Sequence, residues 1–139
     1  MKMKYKLNTS SKKLLADTLT PVNIYLKLRD VFVGSILLES SDYHGRENSL
    51  SFICCDPIAS FQVKDDCIEV RFPDQSKEIQ QITSPGQVLT QLDNFRHSFI
   101  VTEHQEKHNS VRLFGYMAYD AVRYFEDIKL TLSEKLVPD

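Results

Sequence analysis

Only 4 glycines occur in the 139 residues, too few and too scattered to build a glycine-rich loop that cradles phosphates. Three cysteines, two of them the neighbours Cys54 and Cys55, cannot make a disulfide framework, and adjacent strand residues point to opposite faces. They read as reduced core residues. No apolar run approaches the roughly 20 residues that span a bilayer, and the opening MKMKYKLNTSSKK carries charge without the apolar core of a signal peptide. No membrane role is expected, and the location is expected to be cytoplasmic. The 17 basic and 19 acidic residues give a formal charge of −2 with no basic stripe, so nucleic acid is not an expected partner. No Ser/His/Asp arrangement and no Cys/His zinc set can be assembled either.

What is present fits one globular domain. With 42% hydrophobic and 26% charged residues, the chain has enough apolar material to bury a core. Its most apolar strand-like runs are Val33 to Leu38 and Leu50 to Cys55. Runs apolar at nearly every position suit strands buried on both faces, so these two are expected at the centre of a sheet. The polar connector between them holds Glu39, Ser40, Ser41, Asp42, His44, Arg46, Glu47 and Asn48, and loops carried on rigid strands are where binding residues tend to sit.

Thr20-Pro21 signals a helix start, with a capping hydroxyl and a proline at the first helical position. The helix runs to about Arg29, turns a Val22/Tyr25/Leu26/Arg29 stripe toward the sheet, and ends at Asp30. Lys2 to Asp17 suits one or two edge strands. Ile58 to Lys64, Cys67 to Phe72 and Glu78 to Ile82 read as antiparallel strands, separated by Asp65-Asp66 and by Pro73-Asp74-Gln75-Ser76. Ser84-Pro85-Gly86-Gln87 reads as a capping box, in which Ser84 accepts from the amide of Gln87 and Gln87 reaches back. The helix that follows buries Val88, Leu89, Leu92 and Phe95 and runs to about Ser98. Thr102 to Ser110 reads as a polar loop, Val111 to Met117 as a strand, and Tyr119 to Phe125 as a helix or helical turn. The fold class predicted is α+β, a mostly antiparallel sheet with two or three packed helices.

Candidate chemistry is sparse. His104 and His108 lie four apart with Glu103 and Glu106 nearby, but the sequence is HQEKH, no further ligand is identified, and a solvated loop explains it better. Asp65, Asp66, Glu69 and Asp74 serve hairpin turns better than acid/base work. No catalytic and no metal-binding residue can be named. At the end of the first apolar strand, Leu38, Glu39 and Ser40 offer an aliphatic wall, a carboxylate and a hydroxyl. That set could suit an amino acid with an apolar side chain, or be nothing more than a strand ending in polar turn residues.

Three segments carry a family resemblance. ILLESSDYHGRENSLSFICCDP resembles the LLES…SFIG.DP signature of the anthranilate synthase large component, FGYMAYDAVRYFEDI at Phe114 to Ile128 resembles its GY.GYD.VR..E segment, and LTPVNIYLKL at Leu19 to Leu28 resembles its TPV..Y..L opening. They occur in the family's order. The resemblance implies that residues 1–139 are the N-terminal regulatory domain of component I, a fragment whose C-terminal catalytic domain holds chorismate and Mg²⁺. It implies anthranilate and pyruvate as products, with ammonia supplied from glutamine by a separate amidotransferase component. It also implies a tryptophan feedback site at Leu38, Glu39 and Ser40, other walls of which come from the later domain. The family often carries a basic residue and then an aromatic just before SFI, where this chain has Ser49 and Leu50. Component I of 4-amino-4-deoxychorismate synthase shares the three segments, and a free-standing binding domain is a further alternative.

Overall fold

A computed structural model of the chain describes residues 4–39, 50–84, 86–101 and 112–126. They fall into two compact units, Ser11–Ile58 and Met1–Ser10 with Ala59–Asp139. Among the described residues, two α-helices, one 3₁₀ helix and mainly antiparallel strand pairs make an α+β fold.

In the unit Ser11–Ile58, α1 (Pro21–Arg29) begins where the Thr20-Pro21 signal places it. Thr20 Oγ1 accepts from the Asn23 amide at 3.2 Å, and Asp30 closes the helix. Its half-buried stripe is Pro21, Ile24, Tyr25 and Leu28, one step around the helix from the stripe expected. Val22 and Leu26 are exposed. The two stripes have the same spacing and share Tyr25, so periodicity alone does not choose between them.

The helix packs on an antiparallel pair, β2 (Ile36–Glu39) and β3 (Ser51–Cys54). Val33 and Gly34 were expected in the first of these strands but lie in the turn before it. Gly34 has φ 81 there, a left-handed conformation that glycine adopts without cost, and Val33 is 94% exposed. The expected central sheet position is also overturned. Among the described residues this sheet has two strands, and every residue of β2 and β3 is half-buried or exposed. Nor are the cysteines all core, since Cys55 is exposed while Cys54 and Cys67 are half-buried free thiols. Burial, and then the neighbouring Cys55, push the Cys54 thiol up from its ordinary pKa.

The other unit holds the core. β4 (Ser60–Lys64), β5 (Cys67–Arg71) and β6 (Lys77–Gln81) form an antiparallel meander with β5 in the middle. Asp65 and Asp66 both have positive φ, 48 and 57, the backbone of a tight hairpin turn whose twist suits the strands. At the next turn, Asp74 Oδ1 accepts from the Ser76 amide at 3.0 Å and from its hydroxyl at 2.6 Å. Along β5, Ile68 and Val70 are buried while Glu69 faces the other side. There its carboxylate meets Arg71 Nε and Lys77 Nζ, each at 2.9 Å.

Helix α2 (Gly86–Arg96) covers the apolar face of this sheet with Val88 and Phe95. Its expected cap takes another form. Gln87 donates its amide to the Ser84 carbonyl, not the hydroxyl, and Gln87 Oε1 accepts from the Thr83 amide at 2.8 Å. Leu89, expected in the core, is 40% exposed. Phe95 sits among three rings, Phe61, Phe72 and Phe99, with centroids 5.8, 6.0 and 5.2 Å away. Strand β1 (Tyr5–Leu7) pairs in parallel with β7 (Phe99–Val101), and the Tyr5 amide bonds the Ser98 carbonyl at 2.7 Å.

The strand expected over Val111 to Met117 is not formed in its described part: residues 112–117 carry no regular secondary structure and are exposed. The 3₁₀ helix Tyr119–Tyr124 follows and buries Tyr124 and half-buries Ala121. Tyr116 and Tyr119 are 84% and 89% exposed.

Candidate functional site

The antiparallel register of β2 and β3 sets Leu38 opposite Phe52 and Glu39 opposite Ser51, at the end of the hairpin where the chain leaves the sheet. Ser51 Oγ donates to Glu39 Oε1 at 3.4 Å, a long bond that leaves the carboxylate exposed and able to accept more. Leu38 stands 36% exposed while Ile36 and Leu37 are half-buried, so β2 becomes more exposed toward its end and does not alternate between a wet and a dry face. On the helix side, Tyr25 OH donates to the Ser35 carbonyl at 3.4 Å, just before β2 begins. Leu38 and Glu39 are consecutive in β2 and so project to opposite faces of the strand, and both are exposed at its end. Ser40, the third predicted site residue, and the polar connector through Ser49 lie outside the described residues, as do His104 and His108.

Sequence reasoning did not anticipate a second polar constellation. Arg123 Nη2, on the 3₁₀ helix, reaches Asp66 Oδ1 at 3.1 Å across 57 positions of sequence. The same nitrogen donates to the Tyr124 hydroxyl at 2.7 Å. Asp66 reads correctly as a turn residue and Arg123 falls within a recognised segment, but no local spacing connects the two.

Comparison with known proteins gives a distant relative. The chain is 32% identical over 120 residues to anthranilate synthase component 1 of Thermus thermophilus. That match takes in 83% of this chain. It spans only 23% of the length of the curated relative. No family model matches, and no solved structure matches significantly. No helix among the described residues is long and apolar enough to cross a membrane.

Proposed function

We propose that this chain is the N-terminal part of an anthranilate synthase component I and that the end of β2 belongs to a tryptophan feedback site. One observation carries the reading: the similarity to the Thermus thermophilus protein runs through 83% of the chain, and the chain holds three sequence segments that stand in the family's order. The complete protein would add ammonia to chorismate and release pyruvate, leaving anthranilate. Ammonia would come from glutamine through a partner amidotransferase component.

The chemistry belongs to a C-terminal catalytic domain of the same protein. Mg²⁺ there would stabilise and orient the chorismate carboxylate. Among the described residues no group of three His, Cys, Asp or Glu side chains comes together. The chain's role is regulatory. Leu38 would pack against the indole, Glu39 would accept from the ammonium group, and the Ser40 hydroxyl would supply a further polar contact. Tryptophan held there would favour a conformation that binds chorismate poorly, and by linkage chorismate would weaken tryptophan to the same degree, through a coupling of about 1 to 3 kcal/mol. The exposed apolar side chains of Tyr116, Met117 and Tyr119 support a contact between their segment and the rest of the protein, since contiguous apolar surface marks interaction sites.

The test is anthranilate fluorescence from chorismate, ammonia and Mg²⁺, measured on the full natural gene product with and without tryptophan. Product that forms and then falls as tryptophan is added supports the reading. Aminodeoxychorismate in place of anthranilate moves the protein to the neighbouring branch, and no product from folded protein overturns the assignment.

A further inference from the structure

The Arg123–Asp66 pair lines an open groove of about 630 Å³, formed entirely within the unit that carries the core. A structural clasp between the 3₁₀ helix and the β4–β5 turn accounts for the ion pair. It does not account for what surrounds it. Thr83 and Ser84 bring hydroxyls, Ile82 and Leu89 bring an aliphatic wall, and Glu126 adds a second carboxylate. The Arg123 side chain is 36% exposed, its Nε is buried without a partner, and both of its side-chain hydrogen bonds leave from Nη2, fewer than an arginine can donate. A Cβ at Gly86, on the groove lining, would meet nothing within 4 Å, so the space beside the first residue of α2 is empty of protein.

The charges select the ligand. One cation and two carboxylates disfavour a dianion such as phosphate, because Asp66 and Glu126 repel it. A simple cation would have to compete with Arg123 for Asp66. A small molecule bearing both signs satisfies both sides: its carboxylate meets the Nη1 end of the Arg123 guanidinium, away from the nitrogen that holds Asp66 and Tyr124, and its ammonium meets the Glu126 carboxylate, leaving the Asp66 pair in place. The aliphatic wall then takes an apolar side chain. The volume falls within the roughly 300–1,000 Å³ usual for small-molecule sites. We propose that the groove formed by Arg123, Asp66, Glu126, Ile82 and Leu89 binds a free α-amino acid with an apolar side chain as its zwitterion. This site shares no residue with Leu38, Glu39 and Ser40 and does not depend on their role.

L-leucine is the probe, titrated into the 139-residue chain while the amide resonances of Thr83, Ser84, Gly86 and Phe125 are followed by NMR. Saturable shifts at these four positions are expected. N-acetyl-L-leucine and L-leucinamide each lack one charge and should bind about tenfold more weakly or worse, the loss of one charge-assisted hydrogen bond. Arg123→Gln should abolish saturation. That variant also removes the clasp to Asp66, so Gly86→Leu is the control: it fills the groove, leaves the ion pair in place, and puts a better helix former in α2. It should abolish binding with the spectrum of the rest of the chain unchanged. The proposal is overturned if wild type shows no saturable shift at these amides, if either derivative binds as well as leucine, or if folded Gly86→Leu binds leucine normally.

Discussion

Replacing Phe95 tests the packing that holds α2 on its sheet. The side chain is 4% exposed and lies within 6.0 Å, centroid to centroid, of Phe61, Phe72 and Phe99, the last an edge-on contact with the ring planes 82° apart. Phe95→Ala removes the ring and leaves a cavity, at a cost of about 3–5 kcal/mol. Phe95→Leu keeps most of the apolar volume but loses ring–ring geometry worth about 0.5–1.5 kcal/mol per pair. A loss of about 1–2 kcal/mol is therefore expected for Leu, clearly less than for Ala. Set against a total of about 5–15 kcal/mol for a domain, the Ala variant forfeits a large share. The chain has no tryptophan, so urea unfolding is best followed by far-UV circular dichroism. Amide exchange at Ile68 and Val70 reports this unit separately. With a denaturant slope of about 1–3 kcal/mol per M, a 4 kcal/mol loss moves the midpoint by more than about 1 M. A Phe95→Ala loss below about 1 kcal/mol, or equal losses for Ala and Leu, would refute the account of this core.

Three further outcomes follow from local geometry. Thr20→Ala removes the oxygen that caps α1 and should cost about 1 kcal/mol, while Thr20→Ser should be close to neutral, both read from thermal melts. Gln75 holds φ 65, so Gln75→Gly should raise the melting temperature by relieving about 1 kcal/mol of left-handed strain. Hydrogen bonds from Lys77 and then Arg71 hold the Glu69 carboxyl below its usual pKa, and a depressed carboxylate pKa gives stability that is present above the unfolded value and lost as pH falls through the folded one. Melts from neutral pH down to about pH 3 should therefore show an acid loss that Glu69→Gln reduces; an unchanged pH profile would remove this carboxylate from the balance.

The parts of the fold that could be read in advance are those written into neighbouring residues. Thr20-Pro21 fixes the start of α1, Asp65-Asp66 fixes the β4–β5 turn, and the alternation of Ile68 and Val70 with Glu69 fixes which side of β5 is core. Apolar content alone misled. Val33 and the stretch from Leu113 to Tyr119 are rich in large apolar side chains and yet exposed, because composition says what tends to be buried but not which surface does the burying. Strand β7 escaped notice because three residues after a helix carry no periodicity, and its parallel partner β1 lies near the opposite end of the sequence. The same limit applies to function. Leu38 and Glu39 could be placed at a strand end from local pattern, whereas the meeting of Asp66 and Arg123 depends on packing between distant segments.

The central claim is that the end of β2 takes part in tryptophan feedback, and the most direct measurement is the tryptophan inhibition curve of the full natural gene product beside its Ser40→Phe variant, with anthranilate as the readout. The curve is predicted to move to higher tryptophan while uninhibited chorismate turnover stays near wild type, because the larger side chain fills the regulatory site and leaves the catalytic one alone. An inhibition curve that does not move, in a variant that remains active, would contradict the claim.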